Sequence, residues 1–326
     1  MLANHRFGAC LPVFGSCADR YCLSGYGGGG KTMDEMLDLA KEVRGLDGLE
    51  LVGNWHVNDA NIHDVARKFQ NRGLKIPMLV PDLWTQAKWG RGSIAAPEAA
   101  TRQAAVDEIR KVMDWAADLD CPYVDVWPGQ DGFDYPFQAD YVEAWKWMRD
   151  ALAKCAGHNP KVRMLVEYKP REPRTHCFVA HAHGVLLLLQ GLDSVGVLLD
   201  VGHSLQGGEN VAEAAAILAH HGKLDYLHLN DNYRWWDDDM MVGALHTVEF
   251  LELAYWLKRV NYKGWLTLDI FPYRELDKAA VARECGRWIE GFLRAVDRVG
   301  MDTITGVIQR ADATEITAMV RKAINI

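Results

Sequence analysis

The clearest evidence for the fold lies in Val195-Gly-Val-Leu-Leu-Asp200-Val-Gly-His203. The segment begins as an apolar run without alternation, which is typical of a strand buried on both faces of a parallel sheet. The run ends on an acid and is followed by a histidine. We therefore predict a buried strand at Gly196–Asp200, with polar chemistry directly after it.

Similar runs occur on both sides of this segment. The other predicted strands are Arg6–Leu11, Gly48–Val52, Lys75–Val80, Tyr123–Trp127, Val162–Tyr168, Asp225–Leu229 and Trp265–Ile270. Amphipathic segments between them predict helices, among them Met33–Val43, Pro97–Leu119, Ala139–Cys155, Val211–His220 and Ala279–Val299. This alternation indicates repeated βα units. Eight sequential units favour an α/β fold of the (β/α)8 TIM barrel type over the alternative, an open doubly wound sheet.

The predicted domain organisation is one catalytic barrel over residues 1–300 and a short C-terminal tail over 301–326. A chain of 326 residues accommodates such a barrel with insertions. In the tail we expect one helix, Ala313–Ala323, packed on the barrel or on a neighbouring subunit. The chain is expected to form a homo-oligomer, either a dimer or a tetramer.

Composition excludes several classes of protein. The net charge of -8 argues against a nucleic-acid partner, which would need a basic patch. The seven cysteines are odd in number and match no disulfide framework or zinc ribbon. With no signal peptide or membrane-spanning run evident, we expect a cytoplasmic protein with reduced cysteines and no membrane partner.

Candidate metal ligands follow four successive predicted strands. In order along the chain they are Glu167, Asp200, His203, His228, Asp237, Asp239 and Asp269. The carboxyl ends of barrel strands meet at one pocket mouth, and carboxylates with imidazoles are ligands for divalent metals. A single acid at such a place is as easily explained as a cap of the next helix. The mixture of Glu, His and Asp over four strands favours a metal site.

Further candidates surround this set. Lys169 lies two residues beyond Glu167 and would point the same way along an extended strand. His56 follows the second strand and is a candidate catalytic residue, with a surface loop histidine as the alternative. We predict that Trp127, Trp55 and Trp84 contact substrate, although core packing explains such residues equally well. Arg234, in the loop after the seventh strand, is also predicted to bind substrate.

One motif indicates a different chemistry. Gly25-Tyr-Gly-Gly-Gly-Gly30-Lys31-Thr32 matches the phosphate-loop pattern of an NTPase. Such a loop must leave a strand directly and open a helix, and Ser16–Ser24 does not resemble a buried strand. We interpret the segment as a flexible loop over the pocket and keep an NTPase as a remote alternative.

Together these motifs resemble the xylose isomerase-like superfamily, and within it the two-metal sugar isomerases of the xylose and rhamnose isomerase type. The matching segments are Glu167-Tyr-Lys169, Asp200-Val-Gly-His203, Leu227-His228-Leu-Asn-Asp-Asn232 with Asp237-Asp-Asp239, Gly264–Asp269 and Val126–Gly132. The resemblance implies a TIM barrel and a first metal held by Glu167, Asp200, His228 and Asp269. It implies a second metal held by Asp200, His203, Asp237 and Asp239.

The resemblance also implies an activity. A free small sugar (a pentose, branched pentose or deoxyhexose) would be interconverted between aldose and ketose by a metal-assisted hydride shift. Lys169 would donate to the carbonyl oxygen, and the cofactor would be Mn2+, Mg2+ or Co2+, one or two per chain. Alternatives on the same barrel are a single-metal ketose 3-epimerase, a C-glycoside deglycosidase-type subunit, a DNA-repair endonuclease and a non-catalytic sugar-binding barrel. The acidic charge disfavours the endonuclease, and Lys169 with the Asp triplet disfavours the epimerase and the binding barrel.

Overall fold

Eight parallel strands close into a barrel in the computed structural model, which describes residues 5–19, 21–27 and 30–326. The barrel strands are β1 (Arg6–Cys10), β2 (Gly48–Val52), β3 (Met78–Val80), β4 (Tyr123–Val126), β6 (Arg163–Glu167), β8 (Gly196–Asp200), β9 (Leu224–Leu229) and β10 (Trp265–Leu268). Strand β1 pairs with both β2 and β10, which closes the sheet. A separate antiparallel pair is formed by β5 (Gly132–Phe133) and β7 (His176–Cys177). The TIM-barrel prediction is confirmed, and the open sheet is wrong.

Helices surround the barrel. They are α1 (Met33–Lys41), α2 (Ile62–Arg72), α3 (Ala99–Asp118), α4 (Tyr141–Cys155), α5 (Ala182–Leu188), α6 (Val201–Gln206), α7 (Val211–His220), α8 (Thr247–Arg259), α9 (Lys278–Val299), α10 (Met301–Arg310) and α11 (Ala313–Ala323). Short 3-10 turns occupy Leu11–Phe14 and Ala87–Trp89. None of the helices in the described part of the chain is long and apolar enough to cross a bilayer.

Most predicted bounds agree with the structure to within two residues, but two regions differ by more. Strand β3 begins at Met78 rather than Lys75, because Pro77 has no N–H to give to the ladder. The tail contains helix α10 in addition to the predicted α11. The tail packs on the barrel's own helices, where Arg298 Nη2 of α9 donates to Ala323 O at 2.6 Å.

The barrel interior has an apolar floor at its amino-terminal end. The floor is a separate hydrophobic cluster of Met78, Leu165, Leu198, Tyr226 and Trp265, with Tyr123 against it. Trp265 fits because its neighbours on β1 and β2 are Gly8 and Gly48. A Cβ on Gly48 would lie 3.1 Å from the indole, and one on Gly8 would lie 3.3 Å from it.

Two residues further along four of the strands the interior becomes polar. Side chains alternate between the two faces of a strand, so residues two apart share the interior face. The pairs, floor residue first, are Tyr123 and Asp125, Leu165 and Glu167, Leu198 and Asp200, and Tyr226 and His228. The strand pattern therefore places ionisable groups above a sealed apolar floor.

Candidate metal centre

Four ligand-type side chains converge above the floor. One atom each of Glu167, Asp200, His228 and Asp269 lies within 4.8 Å of the other three. His228 Nδ1 is 3.3 Å from Glu167 Oε1, 3.7 Å from Asp200 Oδ2 and 3.6 Å from Asp269 Oδ2. We call these residues the first cluster. It consists of the same four residues that the resemblance implied for the first metal.

Asp200 has two functions at once, because it caps helix α6 and also faces the cluster. Its Oδ1 accepts from the His203 backbone N–H at 2.8 Å, while Asn230 Nδ2 donates to Oδ2 at 2.9 Å. The helix passes close to Asn230, and a Cβ on Gly202 would lie 2.0 Å from Asn230 Oδ1. This close approach requires glycine at position 202.

A second cluster shares Asp200 with the first. Ligand-type atoms of Asp200, His203 and Asp237 lie within 4.8 Å of one another. The Nδ1 of His203 lies 3.0 Å from the Tyr168 carbonyl oxygen, to which it can donate. Its Nε2 faces Asp237 Oδ2 at 3.0 Å. Among the described residues this trio does not include Asp239, which lines the adjoining cavity.

The electrostatics of both clusters fit divalent cations. Burial raises the pKa of Asp200 to about 7. His203 acts to lower this pKa, whereas the neighbouring carboxylates of Glu167 and Asp237 raise it further. Burying carboxylates this close together is costly unless cations compensate. Oδ1 of Asp237 is buried without a hydrogen-bond partner among the described residues. Oxygen and imidazole donors suit Mn2+, Mg2+ or Co2+, so the residues fit the implied metals.

Lys169 is a buried cation in direct contact with the second cluster. Its Nζ lies 2.6 Å from Asp237 Oδ2 and 5.3 Å from the ring centre of Trp127. Burial acts to lower the pKa of Lys169, but Asp237 and then Asp239 outweigh it and raise the pKa above its ordinary value. Lys169 is therefore an ammonium donor at neutral pH.

An aromatic wall borders the cavity above the clusters. The cavity has a volume of about 230 Å³, and the three predicted tryptophans line it together with Lys169, Asp239 and Phe271. Ring centres of Trp55 and Trp84 are 5.4 Å apart, and those of Trp84 and Trp127 are 5.2 Å apart. Trp55 is fixed by a bond from Nε1 to Asp82 Oδ2 at 3.1 Å.

Two predicted site residues lie elsewhere. The described residues that line this cavity include neither His56 nor Arg234. His56 Nδ1 instead accepts from the Val52 backbone N–H at 2.9 Å, and burial lowers its pKa to about 4. The Arg234 guanidinium is directed at the start of α8, where Nε donates to His246 Nε2 at 3.0 Å. Sequence position alone did not give the direction of either side chain.

Three residues that border the site were not predicted, two of them because only strand ends were considered. Glu50 and Asp125 are buried acids in the middle of β2 and β4, and Cys10 ends β1. Burial, followed by Glu167, raises the pKa of Asp125 well above its ordinary value. A single acid inside an otherwise apolar strand was the available signal for both carboxylates.

The glycine-rich segment lacks the context of a phosphate loop. Strand β1 ends at Cys10, and the described residues from Leu11 to Thr32 form no strand. Helix α1 does begin directly afterwards, capped by Thr32. Gly28 and Gly29 lie outside the described residues. Tyr26 lies under the guanidinium of Arg274, at 4.3 Å.

Comparison with known proteins agrees with this geometry. Residues 37–292 match the model of the family described as xylose isomerase-like TIM barrel. The chain belongs to this family. It is 27% identical over 238 residues to a xylose isomerase of Thermus thermophilus. The matched region covers 68% of this chain and 62% of that protein. A xylose isomerase of Thermus caldophilus is 26% identical over 240 residues, again with 62% of its length spanned.

Solved structures show the same fold. An L-ribulose 3-epimerase superposes with a TM-score of 0.71 at 18% identity, covering 90% of this chain and 96% of that one. A D-tagatose 3-epimerase-like protein superposes with a TM-score of 0.70 at 17% identity, covering 90% of this chain and 100% of that one. At such low identity the likeness concerns the barrel only.

Proposed function

We propose that this family member is a divalent-metal-dependent sugar isomerase that interconverts an aldose and a ketose. The observation that supports the proposal best is the second cluster. It shares Asp200 with the first cluster and has the Lys169 ammonium beside Asp237. One cluster would suffice for a single ion, whereas two clusters joined by one carboxylate provide for a pair.

Each group in the site has a role in this proposal. Divalent ions, when bound, supply Lewis acidity that stabilises negative charge on the two substrate oxygens while hydrogen moves between adjacent carbons. Lys169 donates a hydrogen bond to the carbonyl oxygen, where charge develops. The wall of Trp55, Trp84 and Trp127 packs on the C–H face of the sugar and excludes water.

The size of the cavity favours a small substrate. Its volume of about 230 Å³ is below the roughly 300 to 1,000 Å³ of pockets for drug-sized ligands, although it shares Asp237, Asp239 and Phe271 with a second cavity of about 760 Å³. We therefore propose a free pentose, branched pentose or deoxyhexose. The curated relatives are named xylose isomerase, but this chain spans only 62% of their length, so xylose is one candidate among these sugars.

A ketose 3-epimerase using the first cluster alone is the second candidate. It is favoured by the names of the solved structures that superpose on this barrel. The two candidates differ in hydrogen transfer. A direct hydride shift keeps the migrating hydrogen, whereas epimerisation by proton removal and return exchanges it with solvent.

The test is a screen of free aldoses and ketoses with Mn2+ in D2O. We expect aldose–ketose conversion without deuterium at the reacting carbons and two Mn2+ bound per chain. Asp237→Asn combined with Asp239→Asn should leave one ion and abolish turnover. Asp238→Asn is the matched control in the same loop, since Asp238 Oδ2 accepts from the Tyr233 N–H at 3.0 Å. One ion in the unmodified protein, with deuterium incorporated and activity kept by the double variant, would favour the epimerase.

A further inference from the structure

Glu50 contacts the ring nitrogen of His228 that does not face the first cluster, and it also lines the cavity above the clusters. Its side chain projects from β2 into the barrel and is 2% exposed. Glu50 Oε2 is 2.9 Å from His228 Nε2, while Nδ1 of the same ring faces Glu167, Asp200 and Asp269. The two ring nitrogens of His228 therefore face two different sets of acids.

This arrangement determines which nitrogen can bind a metal. A neutral imidazole has one N–H and one lone pair, and the partner of one nitrogen fixes the role of the other. A carboxylate accepts only, so Glu50 requires the proton at Nε2 and leaves the lone pair at Nδ1. Carboxylate partners of this kind orient ligand histidines and increase their basicity.

We propose that Glu50 is a positioning residue that prepares His228 Nδ1 to bind the metal of the first cluster. The inference rests on the proposed function only in requiring a metal at that cluster. It also explains why an acid is kept in the middle of a strand whose other residues are apolar or glycine.

A competing interpretation comes from Cys10. Atoms of Cys10, Glu50 and His228 also lie within 4.8 Å of one another and offer a ligand set of their own. However, the Cys10 thiol is directed as a donor at Glu50 Oε2, at 3.4 Å. That geometry suits a hydrogen bond that supports the carboxylate, and binding through His228 Nε2 would displace the proton that Glu50 holds there.

The experiment is a Mn2+ titration of the full chain. Binding is monitored by electron paramagnetic resonance of the free Mn2+ and by calorimetry. Glu50→Leu removes the acceptor at similar size. We expect Mn2+ affinity at one site to fall about 10- to 100-fold, with the second site and the saturating stoichiometry unchanged. Glu50→Gln keeps an acceptor without the charge, so its Mn2+ affinity should fall less. This variant also tests the proposal if Glu50→Leu does not fold. The absorption of the Co2+-loaded first site should change in both variants.

Cys10→Ser is the matched control, because it alters the neighbour of Glu50 and leaves the contact with His228. Its affinities should stay within about twofold of the unmodified protein. Unchanged first-site affinity in both folded Glu50 variants would overturn the proposal, as would equal loss at both sites. An equal loss in Cys10→Ser would assign the trio as a ligand set instead. If the unmodified protein binds Mn2+ but converts no sugar, the proposed function fails while the Glu50 result still counts.

Discussion

The floor and the mouth of the barrel are built on the same strands, only two residues apart, but they have opposite physical characters. The floor is apolar and includes Trp265, which is 2% exposed. The mouth buries several carboxylates around His203, His228 and Lys169. Burial of apolar surface stabilises the fold, whereas burial of like charges opposes it unless cations are present. Stability and chemistry are thus carried by separate layers of one interior.

This layering explains which parts of the molecule the sequence could predict. Apolar runs followed by acids or histidines predicted the strands and a shared metal site, because strand direction brings their ends together. The grouping of four of these residues around a first metal came from the family resemblance. His56 and Arg234 were placed in the site by position in the chain, but local hydrogen bonds direct both away from it. Glu50 and Asp125 were missed because their strands seemed to carry chemistry only at their ends. Side chains alternate between the two faces of a strand with a period of two. This alternation predicts that a mid-strand acid belongs to the same interior layer as the ligands.

Trp265→Ala tests the floor and should have the largest effect on stability. The variant leaves a cavity between Gly8 and Gly48 that neither neighbour can fill. We expect the free energy of unfolding to fall by about 3 to 5 kcal/mol, as for other buried Trp→Ala changes. Chemical denaturation of the metal-free protein measures this free energy. Trp265→Phe leaves a smaller cavity and should lower it less. Loss of Mn2+ stoichiometry in the folded variant would show that floor and mouth are not separable.

Lys169→Met tests the mouth. The change keeps the side-chain length and removes the donor without replacing a residue of either cluster, although Asp237 Oδ2 loses its ammonium partner at 2.6 Å. We expect turnover of the sugar identified in the screen to fall by roughly two or more orders of magnitude, with two Mn2+ still bound. Turnover close to normal would mean that Lys169 serves only as the partner of Asp237, and the isomerase proposal would lose its main single-residue support.

The pH dependence of stability should distinguish the metal-free from the metal-loaded mouth. Asp200 has a pKa of about 7 in the fold, against 3.8 ordinarily, so its ionisation lowers the stability progressively from about pH 4 to pH 7 and has no further effect above that. Burial acts to lower the pKa of His203, but Asp200 and Asp237 outweigh it and raise the pKa to about 9. The contribution of His203 to stability is therefore full below pH 6.5 and is lost as the pH rises through 9. Both effects lower the stability of the metal-free protein between pH 5 and 9, on the order of a few kcal/mol.

Bound metal should reverse that trend, because its ligands bind in their deprotonated forms. The measurement is the melting temperature at several pH values between 5 and 9, after chelation and with saturating Mn2+. The gap between the two curves should widen as the pH rises. A metal-free melting temperature that increases from pH 6 to 8 would contradict the assigned signs for Asp200 and His203.

His56→Asn should have the smallest effect, although the sequence made His56 a candidate catalytic residue. In the structure its Nδ1 accepts from the Val52 N–H at 2.9 Å, which fixes the turn after β2. Asn Oδ1 can take the place of Nδ1 as the acceptor, so the stability loss should not exceed the roughly 0.5 to 1.5 kcal/mol that the complete loss of one such bond costs. Because a pKa of about 4 keeps the ring neutral at the working pH, it offers no cation to the cavity. We expect turnover within about twofold of normal, since no transition-state interaction is removed. A large loss of turnover with unchanged KM and stability would place His56 in the chemistry, and the boundary of the mouth would then extend beyond the residues that line the cavity.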